Sequence, residues 1–147
     1  MPYDEVITNE EIKELLHYLD YFQDSKSNFF TEKNGYRLES QEVIRFREVL
    51  NDTGFLMIFD WGQWLDENKI YKDINNLGIH ERIMSADLVT LRKLMTSYIR
   101  GDRFNEGLFI AVILKGHVTK ILLRLQKLKD SRCVVVLYSN NKRPSLR

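Results

Sequence analysis

Arg100, Asp102, Arg103 and Glu106 set four charged groups inside the string Arg-Gly-Asp-Arg-Phe-Asn-Glu-Gly that ends at Gly107. Two guanidiniums so close can fork around a carboxylate or phosphate near a helix N-terminus, with Asp102 or Glu106 orienting the grip. A plainer reading gives every residue a scaffolding task. Gly101 is then the left-handed residue that ends one helix, Asp102 the N-cap of a helix starting at Arg103, and Gly107 a point of close helix approach. The residue types favour scaffolding. A second candidate is Asp60-Trp61-Gly62-Gln63-Trp64, where Asp60 and the rings of Trp61 and Trp64 could offer a carboxylate and an aromatic shelf to a planar ligand such as a base. Tryptophans at helical spacing more often fill a core, and Asp60 as an N-cap explains the pair without a ligand. Both segments mix large apolar groups with charges that are costly to bury unpaired, so the two are expected to pack together. Convergence of Asp60 with Asp102 or Glu106 would pair carboxylates for acid–base work or a divalent ion.

Other chemistry has less to stand on. His17, His80 and His117 lie in three separate segments and Cys133 is the single cysteine, so no zinc spacing exists and no disulfide within the chain can form. Cys133 opens an apolar run and reads as a small core residue rather than a reactive thiolate. No phosphate-binding or dinucleotide-binding glycine pattern occurs. His117, Lys120, Arg124 and Lys127 recur at steps of three, four and three, which puts them on one helix face opposite leucines. A solvated face is the ordinary reading of that pattern. Joined by Arg132, Lys142, Arg143 and Arg147, the face could instead follow a phosphate backbone, although no aromatic ladder interleaves with it.

The elements that must position these groups are mostly helical. Thr8 with Glu11 forms a capping box ahead of Ile12, Leu15, Leu16, Leu19 and Phe22, which predicts one helix from about Asn9 to Phe22. Asp24 to Glu39 has no stable period and reads as an ordered loop or a short irregular hairpin. Ser40 caps a second helix that Gly54 stops. Phe55 to Phe59 is a strand or a turn, and Asp60 caps a helix through Leu65 and Ile70 that ends at Asn75-Asn76 and Gly78. Ser85 caps a helix with the stripe Leu88, Leu91, Leu94, Met95, Tyr98 and Ile99. The next helix passes through Leu108 and Ile113, and Gly116 separates it from a last one with Val118, Ile121, Leu122 and Leu125. These last three helices are expected to form the core. Cys133 to Tyr138 is β-rich and is expected to add one strand, paired with Phe55–Phe59.

Phe59-Asp60-Trp61-Gly-Gln-Trp64, then Leu91-Arg92-Lys93-Leu94, then Arg100 to Gly107 resembles a bacterial family called domain of unknown function 6508. The likeness covers about Ser40 to Lys129, and its most specific part is the Asp-Arg-Phe-x-Glu-Gly string. It implies a small, mainly helical bacterial protein and brings no activity with it. Gly62 stands where proline is common in that family, which would loosen the turn after Trp61.

Composition bounds the remainder. In 147 residues, 44% are hydrophobic, 29% are charged, and 22 Lys plus Arg against 21 Asp plus Glu leave +1, so no global field marks a polyanion or membrane protein. The charge is nonetheless dipolar: residues 1–24 carry seven carboxylates against Lys13, or −6, and residues 115–147 carry nine Lys or Arg against Asp130, or +8. The two ends are expected to lie near each other and neutralise each other within the fold. The first 24 residues lack the basic start of an export signal and no apolar run reaches membrane length, which suggests a cytoplasmic protein. The expected fold is mainly α, a compact bundle of about five helices with at most one short two-stranded element. Residues 1–39 form its N-terminal helix and irregular loop, 40–138 the helical core of the same single domain, and 139–147 a basic tail. The function expected is a non-catalytic binding module for a protein partner or small anionic ligand, without cofactor or metal, as a monomer or small homo-oligomer. An enzyme at the Asp60 and Arg100–Glu106 corner and a nucleic-acid binder through Lys120, Arg124 and Lys127 are the alternatives.

Overall fold

The computed structural model describes residues 7–70 and 78–146, with side chains described as far as Ser131. Thr8 opens α1 (Asn9–Leu16) by accepting the Glu11 amide at 3.1 Å while the Glu11 carboxylate takes the Thr8 N–H at 2.9 Å, the reciprocal cap that the spacing predicts. The single helix expected to Phe22 is two pieces, because the chain breaks at His17 and Tyr18 before α2 (Leu19–Gln23). Ile12, Leu15, Leu19 and Phe22 all remain buried across that break.

Asp24–Glu39 contains a hairpin. β1 (Phe30–Lys33) pairs antiparallel with β2 (Tyr36–Glu39), Phe30 opposite Glu39 and Lys33 opposite Tyr36. The two residues between them, Asn34 and Gly35, have φ of +53° and +81°, the left-handed pair that a type I′ turn requires.

Ser40 caps α3 (Gln41–Asp52) through the Val43 amide. Gly54, at φ +72°, closes it in a Schellman arrangement: the Gly54 N–H reaches Asn51 O and the Phe55 N–H reaches Leu50 O, each at 3.1 Å. Phe55–Phe59 is therefore not a strand. Its backbone partners come from a helix: Arg92 donates through Nε to Phe55 O at 3.0 Å and through Nη2 to Gly54 O at 2.8 Å, and the Met57 N–H donates to Thr96 Oγ1 at 3.0 Å. Side chains thus satisfy groups that a strand partner would have taken.

Asp60 caps α4 (Trp61–Glu67), accepting the Gln63 amide at 3.0 Å. This helix stops before Ile70, and its expected terminator Asn75-Asn76 lies outside the described residues. Gly78 begins a helix rather than ending one, α5 (Gly78–Met84). Ser85 is not the cap of the long helix that follows. Its hydroxyl turns back to Glu81 O at 3.1 Å, and Asp87 caps α6 (Leu88–Gly101) by accepting the Thr90 amide at 2.8 Å. A serine hydroxyl one turn past a helical carbonyl competes for that carbonyl, leaving the N-cap to the next short acceptor.

After α6 the chain turns through Asp102–Gly107 into α7 (Leu108–Leu114), and Gly116 at φ +86° separates it from α8 (His117–Leu146). Cys133–Tyr138, expected as a strand, falls within α8. The last helix is the hub, with α1, α2, α5, α6 and α7 packed against it and Val118, Ile121, Leu122 and Leu125 buried. The fold is mainly α with one two-stranded antiparallel element among the described residues. None of the described helices is long and apolar enough to cross a membrane.

Candidate functional site

The corner between α6 and α7 packs against the start of α4, as expected of the two segments. Gly101 makes the close contact possible. It ends α6 in right-handed conformation, not the left-handed one expected, and a Cβ there would sit 3.1 Å from Leu108 Cδ2 and 3.7 Å from Trp61 Cζ3. With no side chain at Gly101, Trp61 slides under the corner and its ring comes to 6.1 Å from that of Phe104, tilted by 37°. Between them opens a hollow of about 540 Å³, walled by Trp61, Leu65, Gly101, Leu108 and Val112 and rimmed by Phe104, Asn105, Glu106 and Lys115. Phe104 is 82% exposed. The Trp64 ring takes another course, packing edge-on against Phe59 at 6.0 Å, and it lines a separate cavity beside α5.

The remaining corner residues divide. Asp102 is half-buried, and it does not cap a helix starting at Arg103, because Arg103–Gly107 are turns and α7 begins at Leu108 after Gly107 at φ +88°. The physical reason is that only glycine enters that left-handed step cheaply, which places the helix start five residues later. Asp102 nonetheless caps α7 from a distance: its Oδ1 accepts the Phe109 amide at 3.0 Å. Its Oδ2 lies 3.2 Å from Arg47 Nη2 on α3, while Arg47 Nε donates to Glu39 Oε1 at 2.7 Å and the guanidinium sits 4.7 Å over the Phe109 ring. Arg47 therefore ties hairpin, α3 and corner together. The spacing of Arg47 carries no motif, and sequence reasoning missed it.

Arg103 and Glu106 are exposed and Arg100 half-exposed. Among the described residues none of the three makes an ion pair, so the expected Arg100–Arg103 fork is not braced by Asp102 or Glu106. Asp60 is exposed and engaged as the α4 cap. It does not line the hollow that holds Trp61 and Glu106, so the carboxylate convergence weighed for an enzyme is not formed there.

Behind the hollow, whose wall Tyr98 shares, lies a buried polar cluster. His117, expected on a charged face, is 1% exposed, because α8 turns its first residue inward against α5 and α6. Its Nδ1 is 2.9 Å from the buried Tyr98 hydroxyl, and the His80 ring stands edge-on at 5.5 Å. Burial drives the His117 pKa down to about 4, helped by His80 and Lys115, and burial drives the Tyr98 phenol well above its ordinary range. Tyr98 thus keeps its proton and shares a hydrogen bond with a neutral imidazole. A methodical signal existed: a tyrosine on the apolar stripe of α6 needs a buried partner for its hydroxyl.

α1 packs on α8, so the two ends are neighbours as expected. Lys120, Arg124 and Lys127 border a second hollow of about 250 Å³ with Met84, Leu123, Gln126 and Asp130. Arg124 Nε donates to Ala86 O at 2.8 Å, and no ion pair joins the three cations to α1 among the described residues. Arg132, Lys142, Arg143 and Arg147 lie outside the described side chains. Among the described residues no group of three or more His, Cys, Asp or Glu is placed to hold a metal ion.

Residues 7–131 match the family of unknown function DUF6508, and the chain belongs to that family. The match takes in the capping box and the hairpin as well as the Asp60 and Arg100–Gly107 strings, further toward the N-terminus than the motifs alone reached. No curated protein and no solved structure matches the chain.

Proposed function

We propose that this member of DUF6508 is a non-catalytic binding module of the bacterial cytoplasm, whose partner protein places a planar or apolar side chain in the hollow against Trp61 and Phe104. One observation carries the reading: an 82% exposed phenylalanine held at the mouth of a hollow of about 540 Å³, its ring 6.1 Å from a half-buried tryptophan. The volume suits a ring or one large side chain, and a third ring laid against this pair would gain area burial and edge or offset stacking. The rim favours a protein over a small anion. Lys115 and Glu106 both line it, so its formal charge balances and an anion gains little there.

Proton chemistry has no support at this hollow. Tyr98 shares its wall, but Tyr98 and His117 are 1% exposed and bonded to each other, and burial favours the protonated phenol and the neutral imidazole, whereas a general acid or base must exchange its proton with the substrate within hydrogen-bond distance. The test is a calorimetric or fluorescence titration with N-acetyltryptophanamide as the neutral ring and indole-3-carboxylate as the anionic one. Saturable binding of the neutral probe, weakened by Phe104→Ala, is the expected result. Tighter binding of the carboxylate would move the reading to a small anion, and no saturable binding of either would overturn it.

A further inference from the structure

The second hollow has a different chemistry, and nothing in the Trp61–Phe104 reading uses it. Its floor is apolar and exposed: Met84, at the end of α5, is 57% exposed, and Leu123 on α8 is 37% exposed. Around that floor stand Lys120, Arg124 and Lys127, with Gln126 and Asp130 completing the wall of about 250 Å³. Three cations against one carboxylate leave the hollow positive.

The cations are placed rather than scattered. Lys120, Arg124 and Lys127 are four and three residues apart on one helix, so they form a row about 10 Å long. Arg124 is fixed at its root, since its Nε donates to Ala86 O at 2.8 Å just beyond the end of α5. Neither Lys120 nor Lys127 has an ion-pair partner among the described residues. A like-charged row with an apolar floor is complementary to one surface pattern: carboxylates spaced at i, i+4 and i+7 beside an apolar side chain.

We propose that the Met84–Leu123 hollow docks a short acidic amphipathic segment of a protein partner, with a leucine-like side chain against Met84 and Leu123 and carboxylates along the row Lys120, Arg124 and Lys127. Met84 suits such a contact because its unbranched thioether adapts to the shape it meets. A nucleic acid fits less well. The floor of the hollow is apolar, which a phosphate backbone does not use, and the lining residues include no aromatic ring on which a base could stack.

The test uses the full chain and fluorescence anisotropy with three labelled probes: a helix-forming peptide of glutamates with one face of leucines, its counterpart with serine for leucine, and a mixed-sequence DNA duplex. The expected result is saturable binding of the leucine–glutamate peptide, about tenfold weaker with Leu123→Ser and with the paired change Lys120→Glu and Lys127→Glu, and weaker with rising salt. Thermal melting of both variants and an unchanged response to N-acetyltryptophanamide control for their fold. The proposal fails on any of three outcomes: serine and leucine peptides bind alike, the duplex binds more tightly than the peptide, or the variants bind as the parent does.

Discussion

Acidification should destabilise this fold through one imidazole. His117 is 1% exposed and hydrogen-bonded to Tyr98, and burial lowers its pKa from 6.5 to about 4. The unfolded chain therefore takes a proton on His117 below pH 6.5, and the folded chain refuses it until about pH 4. Between those values the unfolded state binds more protons, so stability falls as pH falls through the window and levels off below it. At about 1.4 kcal/mol per pH unit the full interval is worth about 3 kcal/mol. For a chain of 147 residues that corresponds to a Tm lower by about 6–12 °C. The comparison variant is His117→Asn, whose amide oxygen can accept the Tyr98 hydroxyl but cannot titrate. Urea unfolding followed by circular dichroism at pH 7, 5.5 and 4 isolates the contribution, since every carboxylate is common to both proteins. The variant should lose about 3 kcal/mol less than the parent over that range. Parallel pH dependences in the two proteins would refute the reasoning, because they would mean that His117 is protonated or solvated in the fold.

Tyr98→Phe leaves His117 Nδ1 buried without its hydrogen-bond partner and should cost about 1–3 kcal/mol at pH 7; an unchanged urea midpoint would contradict the pairing. Arg92→Met removes both donors from Gly54 O and Phe55 O and should cost about 2–3 kcal/mol, with part of it recovered by Arg92→Lys; a neutral result would mean that water replaces the guanidinium. Asp102→Ala strips the Phe109 amide of its cap and Arg47 of one partner, for about 1–2 kcal/mol by the same unfolding assay. Asp102→Asn should cost less than Asp102→Ala, since its oxygen can still accept, and equal costs would show that the Arg47 charge pair outweighs the cap.

What the sequence disclosed was local, and what it hid was long-range. Thr8, Ser40 and Asp60 cap the helices they were expected to cap, because a short acceptor three residues before an amide acts within one turn. Asp102 misled for the same reason. Its acceptor serves an amide seven residues on, across a turn that Gly107 makes possible, and no local rule contains that loop. Asn34-Gly35 was legible as a hairpin turn from its residue types, yet its flanking strands are mostly exposed and lack the alternation that marks a buried strand. Phe55–Phe59 looked strand-like because it is apolar, and only Arg92 and Thr96, 37 and 39 residues away in the chain, explain its turn. At the candidate site, the pairing of Trp61 with the Arg100–Gly107 corner was foreseeable from their composition. The rest was not: Arg100 and Arg103 make no fork with Asp102, and His117 leaves the charged face on which periodicity placed it, since helical spacing describes one helix and not the neighbours it meets.

The most direct measurement of the account is a two-dimensional nitrogen–proton spectrum recorded as N-acetyltryptophanamide is added to the protein. The account predicts saturable shifts of the Trp61 indole N–H and of the amides of Gly101, Phe104, Asn105 and Leu108, with the Trp64 indole and the amides of Met84 and Leu123 unmoved. Shifts that gather at Trp64 or at the α8 hollow, or that never saturate, would contradict it.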